Sequence, residues 1–324
     1  MHRRCKMNNK KYLIAVDGSN SSLEAVDYAS EILPNQGCEI VLFLVGTDIP
    51  ESFWDIDEVP DENIDKETFQ EWAEKHNKIF VKTLTRIKNK FIEKGFPENK
   101  IRIKTQPRQS GIARDIIAES SKGYEAVFIG RKGLTNLKNI PLGSVAGKLI
   151  SKLSSTTLVL VGKNPETENI LIGFDGSDGA KKSVKKAGQL FSKSSKKIHI
   201  RHVSRSVNII KGEYDLTFET LDSESMPIEH ERKKIRTSKT EPELEKAVEK
   251  LESLGFDKKN ADTGIITSYM SRSLGLYETA EKNNWGTIMV GRKGISKVQD
   301  FIIGCVSEKL IHMAYDKAVW IVSS

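Results

Sequence analysis

A chain of 324 residues exceeds what one hydrophobic core usually organises, so two domains are expected. With 38% hydrophobic and 29% charged residues it reads as a soluble globular protein, no apolar run approaches the roughly 20 residues that span a bilayer, and three widely spaced cysteines fit a reducing cytoplasm. The net charge of +7 permits polyanion binding, yet the lysines are scattered over amphipathic stretches such as "AKKSVKKAGQLFSKSSKK", with Phe191 as the one aromatic, which describes a solvated helix surface and no specific nucleic-acid face.

Residues 1–10 read as a flexible tail. Their basic character is followed by an apolar run of only Tyr12 to Val16, too short for an export leader. "KYLIAVDGS" then reads as a strand ending in a turn, and "SNSSLEAVDYASEIL" as a helix with serine caps and apolar residues at Leu23, Val26, Ala29, Ile32 and Leu33. "CEIVLFLVG" is nearly continuous in apolar residues, as a strand covered on both faces would be. A long helix is expected from about Glu67 to Lys94, closed by Gly95 and Pro97. A strand at "KIRIKTQ", a helix at "GIARDIIAESSK", a strand at "EAVFIG", a helix from Ser144 and a strand at "TTLVLVG" complete the first half.

The second half replays this order, from "NILIGFDGS" through "KIHIRHVS", a helix near Pro242 to Leu254, "ADTGIIT", "LGLYETAEKN", "TIMVG" and "VSEKLIHMA" to "AVWIVSS". Asp17 recurs at Asp175 and Gly130 at Gly291, a period of about 160 residues that marks a domain duplication and not a solenoid. Domains are expected at 11–163 and 169–324, joined by a polar linker at 164–168. Each reads as an α/β domain with an open, five-stranded, mostly parallel sheet flanked by helices. Two segments do not repeat: "TDIPESFWDIDEVPDENID" from Thr47, and the long mixed stretch from Arg205 to Thr240. Both follow the second strand of their half, where surface excursions or a lid would sit.

"GRKGLTNLKNIPLGS" begins at Gly130 and "GRKGISKVQDFIIGC" at Gly291. At glycine's average use of about 7%, three fixed glycines arise by chance at roughly 3 in 10,000 starting positions, so the second copy carries the information. Tight strand-to-helix turns would account for glycines at these points without any ligand. The spacing also suits a phosphate-bearing ligand. Glycine at a parallel strand's carboxyl end lets backbone approach a ligand, and Gly143 leaves the first helical amides free for an anion. Ser144 adds a hydroxyl, and Arg131 and Lys132 bring positive charge that faces either the ligand or solvent. Neither the P-loop nor the dinucleotide fingerprint is present.

Gly-x2-Gly-x9-Gly-[Ser/Thr] after a strand, with "AVDGS" on the first strand, resembles the universal stress protein family over nearly the whole chain, as two tandem Rossmann-like domains. The resemblance implies ATP, with magnesium, as the ligand of a nucleotide-dependent stress-response regulator. By matching position it implies Asp17 on the ribose and adenine side and the Val45 backbone against adenine. Gly130 and Gly133 would lie around the ribose and phosphates, with Gly143, Ser144 and Val145 holding the phosphates. The second-half counterparts are Asp175, Val203, Gly291, Gly294, Gly304, Cys305 and Val306. Cys305 departs from the pattern: a thiol is a weaker donor than a hydroxyl, so the second site is expected to be the weaker.

No catalytic residue is assigned. Asp17 is placed to help hold a metal with the phosphates. His199 and His202 lie three apart on a strand, on opposite faces, which is poor metal geometry, and His76, His230 and His312 lack partners at ligand spacing. The cysteines, Cys5, Cys38 and Cys305, show neither a disulfide framework nor zinc spacing. Alternative readings are a protein-interaction module without nucleotide and an enzyme transferring adenylate, although SGGxDS and HIGH signatures are absent. An unidentified protein partner is expected. Both halves end in apolar strands that invite edge pairing, which implies an intramolecular pseudo-dimer and leaves room for a further homodimer.

Overall fold

Tyr12, Leu13 and Ile14 are all buried, so β1 (Lys10–Ala15) is covered on both faces, as a central parallel strand must be. The computed structural model describes residues 10–46, 82–133, 142–205, 240–268, 270–294 and 303–323. These group into two compact units divided after Pro165, and residues 314–323 belong to the first.

In the first unit β1 pairs in parallel with β2 (Cys38–Gly46) and with β4 (Ala126–Gly130); β3 (Ile101–Pro107) extends the sheet beyond β2 and β5 (Thr157–Val161) beyond β4, both in parallel. The last partner of β1 on β2 is Phe43, and on β4 it is Phe128. Both neighbours run on past those residues, so the chain after Ala15 leaves the sheet between two longer strands. That is the topological switch point, where a crevice opens at the strands' carboxyl ends. α1 (Asn20–Ile32), α2 (82–93), α3 (Ile112–Ser120) and α4 (Ser144–Lys152) complete this half.

β10 (Ala318–Val322) closes the first unit's sheet by pairing antiparallel with β5, Trp320 opposite Val159 and Ile321 opposite Leu158. The pairing expected of the two terminal strands is therefore present. Trp320 is fully buried, edge-on to Phe128 with centroids 5.4 Å apart, and donates from Nε1 to the Tyr28 hydroxyl at 2.8 Å. Burying the indole with its donor satisfied adds apolar contact without an orphaned polar group.

The second unit repeats the arrangement. β6 (Asn169–Gly173) is flanked by β7 (Lys197–Arg205) and β9 (Thr287–Gly291), and β8 (Ala261–Ser268) lies outside β7, all in parallel. Its helices are α5 (Asp178–Phe191), α6 (240–253), α7 (Arg272–Lys282) and α8 (Cys305–Met313). The α/β class with mostly parallel strands and flanking helices is as the sequence implies. The expected helix from Glu67 is described from residue 82 onward; its earlier part, the acidic segment from Thr47 and nearly all of the stretch from Arg205 to Thr240 lie outside the described residues, as does the tail before Lys10. Among the described residues no helix is long and apolar enough to cross a membrane.

One buried carboxylate ties β3 to α3. Glu119 is 3% exposed and accepts from Lys104 at 2.6 Å, Lys122 at 2.8 Å and the Tyr124 hydroxyl at 2.7 Å. Burial pushes its pKa up, but the three hydrogen bonds outweigh it and hold the group down at about 2. A carboxylate depressed in the folded state stabilises above its unfolded value and stops doing so as pH falls through the folded one. Denaturant melts of the Glu119→Gln chain should therefore show lower stability than wild type at pH 7, with the gap closing as pH falls from about 4.5 toward about 2. A gap independent of pH would contradict this.

Candidate functional site

Ser19 starts α1: its Oγ accepts from Ser22 N at 3.2 Å. Gly18, at φ 82°, makes the preceding turn, a conformation that costs other residues. Asp17 Oδ1 accepts from Ser19 N at 3.0 Å and from Ser19 Oγ at 2.6 Å. These bonds fix the carboxylate so that Oδ2 approaches Gly133, where an added Cβ would lie 3.0 Å from it. The second unit is built alike. Gly176 has φ 79°, Ser177 N donates to Asp175 Oδ1 at 3.0 Å, and a Cβ at Gly294 would lie 2.8 Å from Asp175 Oδ2.

Gly130 serves packing. A Cβ there would stand 2.4 Å from the carbonyl carbon and oxygen of Ser21, in the first turn of α1. The side-chain side of Gly130 is thus closed, and only its backbone can line the crevice. Lys132 N donates to Ser21 Oγ at 3.2 Å, fixing the next part of the loop. Gly291 makes the corresponding approach to Gly179, whose carbonyl carbon an added Cβ would meet at 2.5 Å.

Gly143 closes the cradle. Its N–H donates to the Arg131 carbonyl at 2.8 Å, and a Cβ would lie 3.3 Å from that oxygen and from Lys132 Cα. As the N-cap of α4 it offers no side-chain acceptor, and the first turn of the helix carries no acidic residue. The amides of Ser144, Val145 and Ala146 have no intrahelical carbonyl to donate to, so the helix start is suited to an anion. Val45 is buried on β2 opposite Gln106, beyond that strand's last β1 partner, which places its backbone on the crevice. Asp17, Val45, the 130–133 loop and the start of α4 are thereby gathered around the first switch point.

Arg131 does not lend its charge to this opening. It is 5% exposed, its Nη1 donates to the Ala314 carbonyl at 3.0 Å, and burial pulls its pKa down to about 10. Arg292 is likewise buried, and burial lowers its pKa too. Among the described residues of the two glycine loops, positive charge falls to Lys132, half-buried, and Lys293, exposed.

The second cradle differs in more than its cysteine. Gly304 N reaches the Arg292 carbonyl at 2.8 Å, as Gly143 does Arg131, and Cys305 opens α8 exposed. Glu308 stands exposed in the first turn of α8 where the first half has Gly147, and Asp178 in the first turn of α5 where it has Asn20. Carboxylates at helix N-termini satisfy the dipole themselves and repel a second anion. Ser307, where the first half has Ala146, donates to the Gly291 carbonyl at 2.8 Å. Glu308, Asp178 and Ser307 stand out only against the matching positions of the first half, and the motif alone brings out none of them. The supporting Ser21 is equally invisible to it, whereas Ser19 is the serine of "AVDGS" and one of the expected helix caps.

His199 and His202 are otherwise engaged. His202 Nδ1 meets the Phe174 carbonyl at 2.9 Å beside Val203, and burial, with Arg272 adding to it, lowers its pKa. His199 stacks on Trp285 with centroids 3.9 Å apart and bonds Asp262 and Asn169, at the opposite end of the sheet.

The sequence model of the Universal stress protein family matches residues 8–160 and 166–322, both copies of this construction. The chain belongs to the universal stress protein family. Universal stress protein YxiE of Bacillus subtilis is 31% identical over 155 residues, 47% of this chain and 97% of that protein. A universal stress protein from Archaeoglobus fulgidus shares the fold at a TM-score of 0.60 and 17% identity, covering 97% of this chain and 98% of its own. A functionally unknown protein from Pseudomonas aeruginosa PAO1 does so at 0.54 and 12%, covering 98% and 93%. This universal stress protein is thus two family domains in tandem.

The two motif glycines should respond differently to alanine. Gly130→Ala forces backbone apart and should cost about 1–3 kcal/mol. Among the described residues Gly133→Ala meets only one carboxylate oxygen of Asp17, at 3.0 Å and at the end of a side chain, and should cost less than about 1 kcal/mol. Chemical denaturation of the two variants checks this, and equal losses would contradict the packing role given to Gly130.

Proposed function

We propose that this chain is a nucleotide-binding regulatory protein of the cytoplasm, taking ATP with magnesium in its first half and setting its affinity for a protein partner by occupancy. The observation that carries the reading is the start of α4, which has no side-chain cap and is closed over by the 130–133 loop, with Asp17 against that loop at Gly133. Family membership supports it, since the glycine spacing is the one that marks the family's ATP-binding members.

In this reading the amides of Ser144 and Val145 and the Ser144 hydroxyl hold phosphate oxygens, and the backbones of Gly130, Gly133 and Gly143 let the ligand approach. The Val45 backbone meets the base. Asp17, its Oδ1 already engaged, turns Oδ2 toward the ribose or a phosphate-bound magnesium. The second cradle, built from Asp175, Val203, Gly291, Gly294, Gly304, Cys305 and Val306, binds more weakly. It loses a hydroxyl donor at Cys305 and gains the negative charge of Glu308 and Asp178.

The test uses the whole chain, because division after Pro165 separates β5 from β10. Calorimetric titration with ATP and magnesium should show one tight and one weak site. Ser144→Ala should weaken the tight one roughly 10- to 100-fold, the worth of a hydrogen bond to a charged group. Cys305→Ser should strengthen the weak one. Equal sites, or an unchanged affinity in Ser144→Ala, would overturn the assignment.

A further inference from the structure

The turn that leads from α8 into β10 is held by donors from the first half of the chain. Arg131 Nη1 donates to the Ala314 carbonyl at 3.0 Å, Lys163 N to that of Tyr315 at 3.3 Å, and Gly162 N to that of Lys317 at 3.0 Å. A Cβ at Gly162 would lie 2.3 Å from the Tyr315 oxygen, so backbone rests on backbone here. Two of the donors are amides just past β5. The third is a side chain from the glycine motif, and it is buried.

Arg131 works at both its ends. Its carbonyl accepts from Gly143 N, the bond that folds the glycine loop onto α4. Its guanidinium meets the C-terminal turn, where the Asp316 charge favours the protonated form against the effect of burial. A buried guanidinium drawn away from its acceptors bears the desolvation cost of an unpaired charge, so the loop position that keeps the Ala314 bond is strongly preferred. Moving the loop and unseating the turn are therefore coupled through a single buried side chain.

We infer that Arg131 is a positioning residue that couples occupancy of the first cradle to the seating of residues 314–322, the segment that brings β10 into the first unit. The inference rests on the nucleotide reading for the identity of the ligand, and on the hydrogen bonds alone for the coupling. Linkage makes the effect reciprocal: a ligand that favours the closed loop favours the seated strand to the same degree.

Amide hydrogen exchange on the full chain tests the coupling without ligand. Arg131→Met, which keeps the apolar stem and removes the donors, should speed exchange at Gly143 in the cradle together with residues 318–322. Faster exchange of the strand with Gly143 unchanged would overturn the coupling. In the wild type, ATP with magnesium should slow exchange across 318–322. Arg131→Met should lose that protection and bind ATP about tenfold more weakly, with Arg131→Lys intermediate. Unchanged affinity, or ATP protection that persists in Arg131→Met, would also overturn it. Should Arg131→Met fail to fold, Arg131→Lys carries both comparisons. A wild type that binds no ATP defeats the nucleotide reading, and the ligand-free exchange then decides the coupling by itself.

Discussion

The place where β4 ends admits no side chain. The 2.4 Å separation between a notional Cβ on Gly130 and the Ser21 carbonyl means that the start of α1 and the end of the strand touch through backbone. This contact brings Ser21 Oγ to Lys132 N and sets the 130–133 loop beside Asp17. Gly143 can then close onto the Arg131 carbonyl. Each later feature of the cradle presupposes the one before, and a Cβ at position 130 would disturb them all. The second half makes the same contact with Gly179 against Gly291, glycine on both sides.

Duplicated architecture has not kept duplicated chemistry. Both cradles preserve the aspartate held by its serine, the packed glycine and the loop-closing bond at 2.8 Å. What differs is what an anion would meet on arrival. The first offers Ser144 and a helix start without acidic residues; the second offers a thiol and places carboxylates in the first turns of both α5 and α8. One exchange of hydroxyl for thiol weakens a donor, whereas the added charges act on any anion that approaches, and more strongly at low salt.

Much of this was legible in the sequence because it depends on local pattern. The continuous apolar runs at Tyr12–Ile14, Ile40–Val45 and Ala126–Ile129 mark strands covered on both faces, and they are buried in a parallel sheet. The repeat offset pairs Asp17 with Asp175 and Gly130 with Gly291, and the structure brings each aspartate to its glycine loop. The direction of Arg131 was not legible. Basic residues beside a phosphate-type motif invite an electrostatic reading, but Arg131 is buried against Ala314, 183 residues away, ahead of a strand whose docking no local pattern encodes. For the same reason the assignment of β10 to the first unit follows from long-range pairing, not from the division of the chain at its linker. Glu308 and Asp178 were legible in principle, by laying one half over the other.

The most direct measurement of the central claim is a crystal structure of the whole chain soaked with limiting ATP and magnesium. The account predicts nucleotide density first at the start of α4, with phosphate oxygens on the amides of Ser144 and Val145 and Asp17 facing Gly133. Nucleotide that enters the cradle at Cys305 first, or that fills neither while binding elsewhere, would contradict it.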